Sequence, residues 1–299
     1  MSTVYLSFTP FLAQCNRLCA LQASGGIRSF SSFFNEILVD HRHNENLPNA
    51  TVSIITMNRP KANAMNKSML YDLQEKLKSL QNDNVDSRCL IITSFSDRVF
   101  SAGADLKERK TMTQSEAEAF VTDLRQTMEQ ISVLPIPVIA AVEGVALGGG
   151  LELALAADFR IVSRMATLGL PETSLAIIPG AGGTQRLSRL IGPTKAKKLI
   201  FTAARLTGEE AFEMGLVDQL TEPGETLHQS LEMGWQIAKN GPVAIRAAKE
   251  AINRGIFART MQEALDIERE CYGKVLSTHD RLEGLAAFQE GRVPEYKGQ

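Results

Sequence analysis

Four short apolar segments alternate with stretches of helical period, and this alternation limits the possible folds more than any other feature of the chain. Residues 52–57, 89–93, 138–142 and 159–162 are rich in valine, isoleucine, leucine and alanine, and each is four to six residues long. Runs of that length suit strands buried in a sheet. Between the first two, Met69, Leu70, Leu73, Leu77 and Leu80 recur at helical spacing and predict a helix over 67–80. Residues 115–133 read as a long amphipathic helix, closed by Pro135 and Pro137. A further helix is expected from Gly149 to Ala157, while 94–105 reads as a loop. Strand and helix in alternation predict an α/β fold with a mostly parallel sheet. Beyond about residue 222 the strand signal fades, and 227–239, 242–254, 261–276 and 280–290 read as helices. The expected organisation is an α/β core over 36–222 and a helical region over 223–299.

Charge and cysteine usage exclude several classes. The net charge of -2 gives no general basic surface for nucleic acid. No apolar run reaches the roughly 18–20 residues of a membrane-spanning helix. Cys15, Cys19, Cys89 and Cys271 form neither a disulfide framework nor a zinc-finger spacing. The first 35 residues contain Arg17, Arg28 and many serines but no acid, the composition of a mitochondrial transit peptide. The mature protein is therefore expected in the mitochondrial matrix.

Two glutamates stand where a carboxylate is costly. Glu152 lies in Ala146-Leu147-Gly148-Gly149-Gly150-Leu151-Glu152-Leu153-Ala154, and Glu172 in Leu168-Gly169-Leu170-Pro171-Glu172. Loss of hydration there raises a carboxyl pKa toward neutrality, where it can both give and take a proton. Either could instead be an ordinary first-turn glutamate favoured by a helix dipole. The glycine triplet between a buried strand and a helix offers unpaired amides to a developing negative charge. Alternatively it permits only close packing. Phe100-Ser101-Ala102-Gly103-Ala104-Asp105-Leu106 is a second loop of small residues, in which Asp105 could simply cap the next helix. The chain has no GxxxxGK[ST] phosphate loop, and Gly180-Ala181-Gly182-Gly183 is only a partial dinucleotide fingerprint. Acid–base chemistry on a substrate with a stabilised oxyanion accounts for these features together.

These segments, with Asn58-Arg59-Pro60-Lys61-Ala62-Asn63-Ala64-Met65 and Ile178-Pro179-Gly180-Ala181-Gly182-Gly183-Thr184-Gln185-Arg186-Leu187, resemble the crotonase (enoyl-CoA hydratase/isomerase) superfamily over roughly residues 50–299. Ala104 to Arg109, Asp280 to Leu285 and Pro294 to Gly298 most resemble its methylglutaconyl-CoA hydratase (AU-binding) group.

The resemblance implies a spiral of ββα units with a C-terminal helical trimerisation region. It implies an oxyanion hole from the amides of Ala104 and Gly149, and a coenzyme A pocket along Ala104, Asp105, Leu106, Lys107 and Gly149. Glu152 would deprotonate water and Glu172 would protonate the α-carbon. The implied reaction is syn hydration of a 2-enoyl-CoA thioester, 3-methylglutaconyl-CoA in leucine degradation. The alternatives are a short-chain enoyl-CoA hydratase of fatty-acid β-oxidation or an enoyl-CoA isomerase; retention of both glutamates favours hydration. No metal or redox cofactor is implied, since coenzyme A belongs to the substrate, and the expected assembly is a homotrimer or homohexamer. The group's AU-rich RNA binding uses a lysine-rich helix. Here Lys67 and Lys76 remain, but Tyr71, Asp72 and Glu75 interrupt it, which favours a solvated amphipathic helix.

Overall fold

Side chains alternate between two apolar layers along the central strands. Val52, Ile54, Cys89, Ile91, Ile139, Ala141 and Ile161 fill one layer. Ile55, Met57, Leu90, Ile92, Val138, Ala140, Val142 and Val162 fill the other. Burial on both faces is why these strands read as continuous apolar runs. The computed structural model describes residues 36–45, 47–60, 62–82 and 87–299; the expected transit peptide, with Cys15 and Cys19, lies outside them.

The strands form two sheets. Numbered in chain order, they are β1 (Ile37–Asn44), β2 (Leu47–Met57), β3 (Ser87–Ser94), β4 (Val99–Ser101), β5 (Val138–Val142), β6 (Val145–Leu147), β7 (Phe159–Ser163), β8 (Thr167–Gly169), β9 (Arg205–Thr207) and β10 (Gln219–Thr221). The larger sheet has the order β1-β2-β3-β5-β7-β10 and the smaller β4-β6-β8-β9. All pairings are parallel except β1 with β2 and β8 with β9. The chain visits the large sheet, then the small one, then forms a helix. It does so at β3–β4, β5–β6 and β7–β8, giving the coil of ββα units. Strand β4 lies in the segment expected to be loop.

The helices are α1 (Lys67–Asn82), α2 (Leu106–Thr111), α3 (Gln114–Ser132), α4 (Gly149–Ala156), α5 (Gly183–Ile191), α6 (Pro193–Phe201), α7 (Gly208–Met214), α8 (Thr226–Ala238), α9 (Pro242–Gly255), α10 (Met261–Leu276) and α11 (His279–Glu290). Leu227, Leu231 and Trp235 of α8 cover the second face of the large sheet. Helix α9 is tied to the core by Lys249, whose Nζ donates to Asp158 Oδ2 at 2.6 Å and to the Ile136 carbonyl at 2.9 Å. Helices α9 and α10 pack chiefly against each other. Ile252, Ile256, Phe257, Met261 and Tyr272, in and between these two helices, face outward.

Candidate active site

Helix α4 starts directly behind β6, at Gly148, whose backbone (φ 53°, ψ -125°) is one that side-chain-bearing residues avoid. One turn on, Glu152 is 3% exposed. Its Oε1 accepts hydrogen bonds from the amides of Ala181 and Gly183, both at 2.8 Å. A β-carbon on Gly183 would come within 2.9 Å of that oxygen, so glycine is needed for the carboxylate to reach the backbone. The Gly180–Gly183 segment is thus an anion cradle for a carboxylate of the same chain, not a dinucleotide loop. Burial pushes the Glu152 pKa above the usual carboxylate range, while the two amides and the charges of Arg186 and Arg125 oppose that rise.

Glu172 sits in the 3-10 turn Pro171–Leu175, with Pro171 fixing the first position. The turn is anchored by the Thr173 hydroxyl, which donates to the Ile200 carbonyl at 2.6 Å. The Glu172 carboxyl faces Gly148, and its Oε2 is buried without a hydrogen-bond partner. Burial raises its pKa to about 7; the neighbouring charge of Glu152 adds to the rise, and Arg109 opposes it. The structure therefore brings the two glutamates together, and Glu172, which has fewer donors, keeps its proton to a pH where it can act as a general acid.

The two small-residue loops also meet. A β-carbon on Gly103 would lie 2.9 Å from the Gly149 nitrogen, and one on Gly149 would lie 3.6 Å from the Ala104 nitrogen. Met65 and Ala104 form a parallel bridge in which Met65 N–H donates to the Gly103 carbonyl and Asp105 N–H to the Met65 carbonyl. That pairing uses the amides of Met65 and Asp105 and leaves the Ala104 amide unengaged among the described residues. Gly149 opens α4, where first-turn amides have no helical acceptor.

Of the other expected contacts, Leu106 and Lys107 are exposed. The Asp105 carboxylate caps α2 by accepting from the amides of Lys107 and Glu108, and it pairs with Arg59 at 2.9 Å. Despite partial desolvation, these bonds hold its pKa below the usual range.

Sequence reasoning missed the groups that brace this loop. The Arg59 guanidinium also pairs with Glu36 at 3.1 Å and donates to the Ala64 carbonyl at 2.6 Å. Asn63, 3% exposed with φ 47°, accepts from the Arg59 amide and donates to Ser94 Oγ and the Phe100 carbonyl. Their signal was present as polar residues in a short loop ending a buried strand. The Arg109 guanidinium, half-buried on α2, has no hydrogen bond or ion pair among the described residues.

Comparison with known proteins identifies the family. The enoyl-CoA hydratase/isomerase family profile matches residues 48–299. The chain is 51% identical over 245 residues to a protein of Arabidopsis thaliana named probable enoyl-CoA hydratase 2, mitochondrial, covering 82% of this chain and 81% of that one. It is 44% identical over 270 residues to the mitochondrial methylglutaconyl-CoA hydratase of Mus musculus, covering 89% and 84%. The crystal structure of an enoyl-CoA hydratase from Bacillus anthracis superposes with a TM-score of 0.84 at 45% identity, covering 89% of this chain and all of that one. The chain belongs to the enoyl-CoA hydratase/isomerase family, and it is a hydro-lyase of the enoyl-CoA hydratase type on a crotonase fold.

Proposed function

We propose that this enzyme adds water syn across the double bond of 2-enoyl-CoA thioesters, with 3-methylglutaconyl-CoA as its substrate in mitochondrial leucine degradation. The observation that carries the reading is the pair of adjoining amides, Ala104 and Gly149, beside two desolvated carboxyls, one held by two amides and one with an oxygen that has no partner. In this reading the thioester oxygen accepts from both amides, a contact worth roughly 10²–10³ in rate per donor. Glu152, whose Oε1 accepts from two amides, removes a proton from water as the hydroxyl bonds to the β-carbon. The electron pair of the double bond moves onto the thioester oxygen, and Glu172 delivers its proton to the α-carbon. Proton exchange with solvent then resets the pair. Coenzyme A enters as part of the substrate along Ala104 to Lys107, and no separate cofactor is involved.

The branched, carboxylate-bearing acyl group is favoured by Arg109, a half-buried guanidinium within electrostatic range of Glu172 and without an ion pair among the described residues. A matrix location is supported by relatives from plant and mouse that carry "mitochondrial" in their names, although a Bacillus subtilis protein is 48% identical. The outward apolar side chains of α9 and α10 support a homotrimer or a pair of trimers.

The test is to follow loss of the conjugated thioester absorbance with crotonyl-CoA and 3-methylglutaconyl-CoA. Turnover of both, with a higher kcat/KM for the branched acid, is expected. Glu152→Gln should lower kcat about 10²–10⁴-fold. An active Glu152→Gln enzyme defeats the assignment of roles, and migration of a 3-enoyl double bond without water uptake would make the enzyme an isomerase.

A further inference from the structure

The carbonyls of the anion cradle are gripped from behind by two guanidinium groups. Arg125, on α3, donates from Nε and Nη2 to the Gly180 carbonyl at 3.3 and 3.2 Å. Arg186, on α5, donates from Nη1 to the Ala181 carbonyl at 3.0 Å, and its Nη2 pairs with Glu129 of α3 at 3.0 Å. The Gly180 carbonyl and the Ala181 amide belong to one rigid peptide plane. Arg125 therefore holds one end of the plane whose other end donates to Glu152. The next plane, from Ala181 to Gly182, is held by Arg186, and its orientation feeds the turn that aims the Gly183 amide at the same oxygen. Gly182 makes this possible: its φ is 107°, and a β-carbon there would collide with the Arg186 guanidinium.

A peptide whose carbonyl accepts from a cation has a more positive amide hydrogen, so linked bonds of this kind reinforce one another. From this geometry we infer that Arg125 and Arg186 are positioning residues that act on Glu152 through two peptide planes, keeping the carboxylate ionised and aimed without touching it. The inference rests on the base role proposed for Glu152. The charged groups around that carboxylate are Arg125 and Glu129 from α3, Arg186 from α5 and Glu172 from the 3-10 turn, with Arg109 of α2 beyond Glu172. The two arginines and the two amides favour the anion; Glu172 and Glu129 do not.

The experiment compares Arg125→Met, Arg186→Met and the double variant with Arg125→Lys in the full chain. Loss of either guanidinium should lower kcat for crotonyl-CoA about 3–10-fold at pH 6 and less than twofold at pH 8.5, with KM nearly unchanged, because the acidic limb of the profile moves to higher pH. Arg125→Lys, which keeps the charge, should restore most of the loss. A uniform fall at every pH would mean that the arginines only stiffen the loop, and an unshifted limb would overturn the inference. A second readout is independent of turnover: carboxyl infrared spectra of Glu172→Gln proteins, with and without Arg125→Met, report protonation of Glu152. An upward shift there, together with a Glu152→Gln enzyme that still hydrates crotonyl-CoA, would uphold the arginine effect while rejecting the base role. No shift in an active enzyme would reject the arginine effect alone.

Discussion

The Glu172 carboxyl oxygen lies 3.1 Å from the point where a β-carbon on Gly148 would stand. The residue that caps the start of α4 and the residue expected to give the proton are thus fitted to each other, and the absent side chain is part of the site. Gly148→Ala should cost about 1–3 kcal/mol in stability from the positive φ alone. It should also push Glu172 from its place, so that kcat falls at least tenfold in the folded variant. Thermal denaturation and steady-state kinetics on the same preparation separate the two effects.

Glu172 carries a pH signature. Its carboxyl titrates near 4.5 in the unfolded chain and at about 7 in the folded protein, chiefly through burial. The unfolded chain therefore loses that proton first, and the stability linked to it, full below pH 4.5, declines as pH rises toward 7. Glu172→Gln removes the decline. Because the side chain is only partly buried, the gain at pH 8 should be on the order of 1–2 kcal/mol, with little difference at pH 4. Urea unfolding at the two pH values measures it. The same change should abolish hydration, and a gain in stability alongside lost activity would mark a group strained for its role.

Arg59 should behave as a keystone of the loop that carries Ala104 and Asp105. It joins Glu36, the Ala64 carbonyl and Asp105, and the second oxygen of Glu36 is already buried without a partner. Arg59→Met leaves two carboxylates without their cation and should cost about 2–4 kcal/mol. Arg59→Lys should recover less than half, since one ammonium cannot reach all three acceptors. Chemical denaturation of the three proteins tests this.

Lys249→Met should separate stability from catalysis. Asp158 would keep its bond from the Val138 amide at 2.7 Å but lose the ammonium at 2.6 Å. A cost of about 2–3 kcal/mol is expected, with faster amide hydrogen exchange in α9 and unchanged kcat at temperatures where the protein stays folded.

Much of the core was legible because it is buried on both faces. The run 138–142 coincides with β5, and 89–93 lies within β3, where successive residues meet different apolar layers. The C-terminal helices were legible for the opposite reason: long and exposed on one side, they keep a clear helical period. The small sheet was not readable, since β4, β6, β8 and β9 have three residues each and no period can develop over that length. Strand β1 was hidden by its polar His41, Arg42 and His43, a run that suits a sheet edge. For Glu152 the apolar setting was readable, but its partners were not. The amides that hold it lie 29 and 31 residues away, in a glycine loop whose sequence alone fits several uses. Arg125 and Arg186 gave no sign, because long cationic side chains on helices are usually solvated.

The two unengaged amides come from successive turns of the ββα coil, and their spacing is set by neighbouring strands β4 and β6 of the small sheet. Helices α2 and α3 lie between them in the chain but not between them in space. On the proposed reading, substitutions or insertions along that helical excursion would reshape the room for the acyl tail while the grip on the thioester oxygen stayed fixed. Such a division lets one reaction be inherited intact as the molecules it accepts diversify.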